Sequence, residues 1–291
     1  MSDRRWAIIL HGGAKEIAPE EQEAHREGVR AALTAGIAVL QRGGTAVEAV
    51  EAAIRVLEDN PTFNAGHGSA LNSEGRIEMD AGLMEGAGLQ VGAVAALRCV
   101  RHPISIARQL LSEDPVLLVG DEARHFAAEK GAELCDEADL RPGRPPRRAA
   151  AARDTVGCVA LDMTGHLAAG TSTGGLDGQA PGRVGDSPLP GCGLYADDTV
   201  GGVSLSGDGE AIVRVIAASR IVQGMAAEHP QRAVEAGIAA LQRVDGEAGA
   251  IVIDRRGRFG WAHNTPHFAV GLAANDGTVR VHLAKSEEAN G

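Results

Sequence analysis

The first half of the chain combines short apolar runs with segments of helical periodicity. The run WAIIL at residues 6–10 predicts a buried strand that ends in the glycine turn HGG at residues 11–13. From about residue 20 to 42, apolar side chains recur every three or four positions, which predicts an amphipathic helix. Thr45 is a suitable N-cap for a second helix that continues to Leu57.

A less regular region follows these two helices. Residues 60–86 are rich in Gly, Asn and Ser and predict loops, whereas VGAVAALRCV at 91–100 predicts a strand. Helices are expected at about 103–112 and 121–131, on either side of the short apolar run PVLLVG. Residues 136–154 contain three prolines and five arginines and have no periodicity, so they predict a linker.

Strand patterns dominate the second half. TVGCVALD at 155–162 and HLAAGTST at 166–173, separated by MTG, predict a hairpin. VGGVSLSG at 200–207 predicts a further strand, and helices are expected near 209–225 and 230–243. The remaining residues predict a hairpin about residues 256–257 and two last strands. This order favours an α+β fold of antiparallel sheets covered by helices.

Composition and charge narrow the class of protein. Hydrophobic residues make up 44% of the chain and aromatic residues 2%, so the core is built from aliphatic side chains. The net charge of −11 argues against binding to nucleic acid and favours a small-molecule substrate. We expect a cytoplasmic protein without membrane contact, because no apolar run is long enough to span a bilayer and the start lacks the features of a signal peptide. Four cysteines without CxxC spacing indicate reduced thiols.

Thr155 stands where the linker meets the first strand of the second half. If the bond before it were cut, its own α-amine, with a pKa of roughly 7.7 to 8.0, would be available to take the proton of its hydroxyl. Nucleophile and base would then belong to one residue. The alternative is an ordinary β-branched residue at the start of a strand.

The motifs around Thr155 occur in a specific order. DTVGCVALDMTGHLAAGTSTGG is followed by PGRVGDSPLPGCGLYADD and SLSGDGE, and is preceded by AIILHGGA and DNPTFNAGHGSALNSEGRIEMDAGLMEG. Together they resemble the plant-type asparaginase and isoaspartyl peptidase family of N-terminal-nucleophile hydrolases. The resemblance covers nearly the whole chain except the linker and the C-terminal hairpins.

The resemblance implies a fold and a maturation step. The fold would be a four-layer αββα sandwich that forms one structural domain. The precursor would cut itself between Asp154 and Thr155, giving an α subunit of residues 1–154 and a β subunit of residues 155–291. The two would stay together, and the assembly would be a dimer of αβ units.

The resemblance also implies roles for individual residues. Thr155 would be the nucleophile, and Thr173 would support and orient it. Arg183 and Asp186 in GRVGD would hold the α-carboxylate and α-amine of the substrate, as suits a planar guanidinium and a carboxylate. Ser206 and Gly207, where the family carries Thr-Gly, would serve substrate binding and the oxyanion.

The resemblance also implies roles for two regions of the first half, one near the cleavage site and one around a bound ion. Asn64 belongs to a segment near the cleavage site, and the HGG turn resembles a loop linked to cleavage. Backbone carbonyls around residues 57–66 would hold a structural sodium ion, and no other cofactor is expected. NAGHGS at residues 64–69 lacks the GK[ST] ending of a phosphate loop.

Besides Ser206, the residue before Thr155 departs from the family pattern. Most plant-type members carry Gly before the catalytic Thr, whereas this chain has Asp154, as in the related glycosylasparaginases. The leading hypothesis is a hydrolase of β-aspartyl dipeptides and L-asparagine that yields L-aspartate. The alternatives are an N4-(β-N-acetylglucosaminyl)-L-asparaginase and an amino-acid-binding protein that does not cut itself.

Overall fold

The structure is a computed structural model that describes residues 5–141 and 154–288. Most of the predicted linker, residues 142–153, lies outside the described residues. The strands are β1 (Ala7–Lys15), β2 (Met79–Glu85), β3 (Val91–Leu97), β4 (Leu117–Val119), β5 (Val156–Leu161), β6 (Leu167–Thr173), β7 (Leu194–Asp197), β8 (Gly201–Gly207), β9 (Ala248–Asp254), β10 (Phe259–His263), β11 (His267–Ala274) and β12 (Val279–His282). The helices are α1 (Gln22–Gln41), α2 (Ala46–Asp59), α3 (Pro103–Leu110), α4 (Gly120–Glu129), α5 (Glu137–Leu140), α6 (Gly209–Val215), α7 (Ala217–Met225), α8 (Pro230–Ala240) and α9 (Lys285–Glu288).

The described strands form two sheets. The larger has eight strands in the order β12-β11-β1-β5-β6-β2-β3-β4, and the smaller has four in the order β10-β9-β8-β7. Neighbouring strands are antiparallel except for β3 and β4. The mixed α+β class and the antiparallel character predicted from the element order are therefore confirmed.

The two sheets pack face to face, and helices cover their outer faces. On β1, Ile8 and Leu10 point into a cluster with α1 and α2, whereas Ile9 points into the layer between the sheets. This alternation is that of a strand buried on both faces. On the far side, α7 and α8 pack onto β8 and β9.

Several local predictions are confirmed. Strands β5 and β6 form the expected hairpin, with Val156 opposite Ser172. Thr45 caps α2 and forms a capping box with Glu48. Strands β9 and β10 pair about Gly257. Cys158, in β5, is fully buried. In the described residues no helix has the length and apolar composition needed to cross a bilayer.

The predicted HGG turn is wrong, because β1 continues through it to Lys15. The pairing of β1 with β11 shifts register between His11 and Ala14, and Gly13 adopts a φ of +108°. A β-bulge therefore absorbs the glycines, and the strand bends without ending.

Three other predictions need correction. The helix predicted at 209–225 is broken at Ile216, whose φ is +52°, because the N–H groups of the next turn bond to the loop at 191–192. The linker expected from residue 136 begins with the single turn α5, anchored by buried Leu140. The loop predicted across 60–86 contains β2, and β7 was not predicted.

Candidate active site

Thr155 is the residue just before β5, the central strand between β1 and β6. Its side chain is buried, and it faces a small open pocket. The pocket is lined by residues from all three motifs of the second half, among them Asp154, Thr155, Thr173, Arg183, Asp186 and Gly207. The fold therefore brings together six of the predicted site residues.

The carbonyl of the peptide bond before Thr155 accepts two side-chain hydrogen bonds. Asn64 Nδ2 donates to the Asp154 oxygen at 3.0 Å, and Thr173 Oγ1 donates at 3.1 Å. The Asn64 amide is itself held, since it also donates to the Gly175 carbonyl and accepts from the Ala70 N–H. Two oriented donors on one carbonyl are suited to stabilise negative charge on its oxygen.

Ser206 contacts the backbone nitrogen of Thr155. Its hydroxyl oxygen accepts from the backbone N–H of Thr155 at 3.2 Å and from that of Ala14 at 3.1 Å. The Thr155 hydroxyl lies 3.4 Å from the Ser187 hydroxyl, a partner that the sequence did not reveal. Gly207 has a φ of +149°, and a Cβ there would lie 2.3 Å from the Glu247 carbonyl oxygen, so glycine is required.

Arg183 and Asp186 converge on Gly209. A Cβ at that glycine would lie 2.9 Å from Asp186 Oδ1 and 3.0 Å from Arg183 Nη2. The Arg183 guanidinium forms a two-pronged ion pair with Glu210, through Nε at 2.9 Å and Nη2 at 2.8 Å. Burial raises the pKa of Asp186 to about 7, against the opposing effect of Arg183.

Asp80 is a second buried acid close to Arg183 and Asp186. Asp80 in β2 accepts from the N–H groups of Ala96 and Gly185, and burial raises its pKa to about 6. Asp80 lies in the motif EMDAG and Glu210 in the motif GDGE, so the sequence offered a signal for each residue. Neither residue was predicted from the sequence as a site residue.

A third buried acid supports the strand that carries Thr173. Glu58, in the last turn of α2, accepts from the Ser172 hydroxyl at 2.6 Å and from the Ile104 N–H at 3.0 Å. Burial raises the pKa of Glu58 to about 8. In the sequence it looks like an ordinary polar residue at a helix end.

His11 is part of the sheet core. Burial lowers its pKa to about 3, so the imidazole is neutral at pH 7. Its Nε2 lies 2.9 Å from the Ser204 hydroxyl, which donates onward to the Gly170 carbonyl. Because the Ser204 hydroxyl donates to Gly170, His11 Nε2 is the donor in its bond to Ser204. The two hydrogen bonds hold β8 against the larger sheet.

The segment expected to hold sodium has the right donor type. A Cβ on Gly68 would lie 1.8 Å from the Phe63 carbonyl oxygen and 3.2 Å from that of Pro61, and one on Gly66 would lie 2.4 Å from that of Glu58. Backbone carbonyl oxygens thus crowd around two glycines of one loop. Uncharged oxygen ligands suit a hard cation, so the residues fit the ion that the resemblance implies.

Comparison with known proteins gives an independent result. A family model described as asparaginase matches residues 4–144 and 142–283. The match includes the C-terminal hairpins, which the motif-based resemblance left out because they carry no motif.

Curated proteins of animals are similar along most of their length. The isoaspartyl peptidase/L-asparaginase of Bos taurus is 39% identical over 295 residues, which cover 94% of each chain. The proteins of the same name from Xenopus laevis and Homo sapiens are 41% identical over 266 residues, 86% of each chain, and 38% identical over 295 residues, 94% of each chain.

Proposed function

The chain belongs to the asparaginase family, and we propose that it is an isoaspartyl peptidase/L-asparaginase that becomes active by cutting itself before Thr155. The family match and the names of the relatives support the hydrolase class. The observation that carries the maturation step is the Asp154 carbonyl held between Asn64 and Thr173.

Self-cleavage is an acyl shift followed by hydrolysis. The Thr155 Oγ adds to the Asp154 carbonyl carbon, and Asn64 and Thr173 donate to the oxygen that becomes negative. The C–N bond breaks, the nitrogen takes the proton of the hydroxyl, and the acyl group rests on Oγ as an ester. Water then hydrolyses the ester and frees the α-amine of Thr155.

The products are a chain of residues 1–154 and one of residues 155–291. Strand β1 from the first product lies between β5 and β11 of the second, so the cut pieces share one sheet and stay together. The layers of helix, sheet, sheet and helix support an αββα sandwich of the N-terminal-nucleophile type within one structural domain. The assembly proposed from the resemblance is a dimer of such units in the cytoplasm.

The mature site hydrolyses the side-chain carbonyl of an aspartyl unit. Arg183 binds the substrate α-carboxylate and Asp186 its α-ammonium, which selects an amino-acid head group. The freed α-amine takes the proton of the Thr155 hydroxyl as Oγ attacks, and the loop of Ser206 and Gly207 steadies the oxyanion. Ammonia leaves from L-asparagine, or an amino acid from a β-aspartyl dipeptide, and water releases L-aspartate.

Sodium has a structural part in this proposal. The carbonyls of Glu58, Pro61 and Phe63 would hold it, and the ion would fix the loop that leads to Asn64. The chemistry is carried by the side chains of the site.

The test compares wild-type protein with Thr155→Ala and with Thr199→Ala, a control at an exposed turn. Wild type and the control are expected to give two chains on a denaturing gel, with intact masses that place the cut between 154 and 155. Both should hydrolyse a β-aspartyl dipeptide and L-asparagine, while Thr155→Ala stays whole and inactive. A wild-type protein that remains whole and inactive would refute the proposal, and preference for a glycosylated asparagine would reassign the substrate.

A further inference from the structure

Lys15, the last residue of β1, reaches the residue before the scissile bond. Its ammonium forms an ion pair with Asp154 Oδ2, across 139 positions of sequence. The Lys15 side chain is 12% exposed and that of Asp154 is fully buried. A buried ion pair therefore sits beside the peptide bond that is cut, and the proposed mechanism has not used it.

The bulge in β1 makes room for the same carboxylate. Gly13 has a φ of +108°, and a Cβ there would lie 1.3 Å from Asp154 Oδ1. Glycine at 13 and lysine at 15 thus contact the two oxygens of one carboxylate from the same strand. Strand β1 also pairs with β5, which begins immediately after Thr155. One element therefore fixes the side chain of Asp154 in register with the nucleophile.

The backbone of Asp154 is fixed by other residues. Asn64 and Thr173 hold its carbonyl oxygen, and Ser206 holds the N–H of Thr155. The Asp154 carbonyl can therefore keep these hydrogen bonds only if the Asp154 side chain is stable in its buried position. A buried carboxylate is stable there when a cation is paired with it.

Electrostatics gives a second reason for the lysine. During attack, negative charge develops on the Asp154 carbonyl oxygen while the carboxylate of the same residue is already negative. Two like charges repel strongly where water is largely excluded. The Lys15 ammonium offsets the carboxylate, so the pair presents little net charge to the developing oxyanion.

We propose that Lys15 is a positioning residue for self-cleavage, which holds the Asp154 carboxylate in the β1 bulge so that the Asp154 carbonyl stays between its two donors. The inference rests on the proposed self-cleavage before Thr155. It assigns to Lys15 a task that exists because residue 154 is an aspartate, and it predicts that the two residues are coupled.

A double-mutant cycle measures that coupling. Freshly purified wild type, Lys15→Met, Asp154→Asn and the double variant are followed by intact mass until cleavage is complete. Lys15→Met is expected to cleave about tenfold more slowly or worse, because it removes one partner of a buried pair. The double variant should recover severalfold over Lys15→Met, since a neutral amide does not require the cation. Lys15→Arg should remain close to wild type.

Controls separate positioning from general damage. Lys130→Met removes a lysine from an ion pair with Glu113 at the surface and should cleave like wild type. Melting temperatures are compared in the uncleavable Thr155→Ala background, and if Lys15→Met does not fold there, Lys15→Gln takes its place with the same expectation.

Two results would overturn the inference: a Lys15 variant that folds and cleaves at the wild-type rate, or a double variant as slow as the Lys15 single variant. A wild-type protein that never cleaves would refute the proposed function instead, so the two failures are distinguishable.

Discussion

The side-chain amide of Asn64 lies 3.0 Å from the carbonyl oxygen of Asp154 and donates a hydrogen bond to it. Ninety positions separate the two residues, and the amide is fixed by its contacts with Gly175 and Ala70. The donor is thus in place before any charge develops on the oxygen. Such preorganisation is what makes a hydrogen bond contribute to a rate rather than to binding alone.

Asn64→Ala is expected to slow self-cleavage by roughly 10² to 10³, the usual effect of losing one donor to an oxyanion. The measurement is the fraction of intact chain against time, by mass spectrometry. Asn275→Ala, at an exposed asparagine, is the matched control. Cleavage of Asn64→Ala at the wild-type rate would show that this hydrogen bond has no part in the reaction.

Thr173→Val keeps the shape of the side chain and removes the second donor. Its hydroxyl donates to Asp154 and accepts from the Gly175 N–H, so the valine variant loses both contacts. Self-cleavage should slow by about 10² or more, and Thr173→Ser should restore most of the rate because it restores the hydroxyl. If serine and valine behaved alike on the gel, the hydroxyl would not be the active feature of this residue.

Gly13→Ala would place a methyl group on the Asp154 carboxylate, 1.3 Å from Oδ1. Cleavage should be slowed strongly, and Asp154→Gly in the same chain should restore part of it by removing the obstacle. Gly165→Ala is a control with similar backbone strain, since its φ is +92° and nothing lies within 4 Å of the added Cβ. The steric explanation fails if Asp154→Gly gives no recovery, or if the control is equally slow.

The order of the motifs, through their resemblance to the asparaginase family, led to Thr155, Thr173, Arg183 and Asp186, and the structure places these four residues around one pocket. The hairpin that carries Thr155 and Thr173 follows a short-range strand pattern. The fold class followed from the order of strand and helix patterns.

The remaining features depend on contacts that periodicity does not encode. Lys15 looks like a solvent-exposed residue after a turn, because nothing in its neighbourhood indicates that a bulge carries the strand on to Asp154. Strand β2 is buried on both faces and its sequence, MDAGLME, contains no β-branched residue, so it matches no strand template. The helix breaks at Ile216 because the N–H groups that follow it donate to carbonyls of the distant loop at 191–192.

Asp186 predicts the acid limb of the activity profile. It accepts the substrate ammonium only when ionised, and burial raises its pKa to about 7, with Arg183 opposing and Asp80 and Glu210 adding to the rise. The α-amine of Thr155 must also be neutral to act as the base, so two groups have to lose a proton in the free enzyme. For L-asparagine, kcat/KM should therefore fall below pH 7, approaching about a hundredfold per pH unit. At saturation the bound ammonium keeps Asp186 charged, so kcat should follow the α-amine alone and approach about tenfold per pH unit. Identical acid limbs for kcat and kcat/KM would contradict this assignment.

Glu58 predicts a dependence of stability on pH. Its pKa is about 8 in the folded chain because of burial, against an ordinary value of 4.5. Between these values the folded state keeps a proton that the unfolded state has lost, so the free energy of unfolding decreases as pH rises. The slope from this group is up to about 1.4 kcal/mol per pH unit.

Glu58→Gln removes that proton from the balance while its amide oxygen can still accept from Ser172 and Ile104. In the uncleavable Thr155→Ala background, the melting temperature of Glu58→Gln should therefore rise relative to its parent as the pH increases from 5 to 8. Glu228→Gln, at an exposed glutamate, should keep a constant difference from the parent over the same range. Parallel curves for Glu58→Gln and its parent would mean that Glu58 is ionised in the folded protein, and that its two hydrogen bonds and Arg55 offset the cost of its burial.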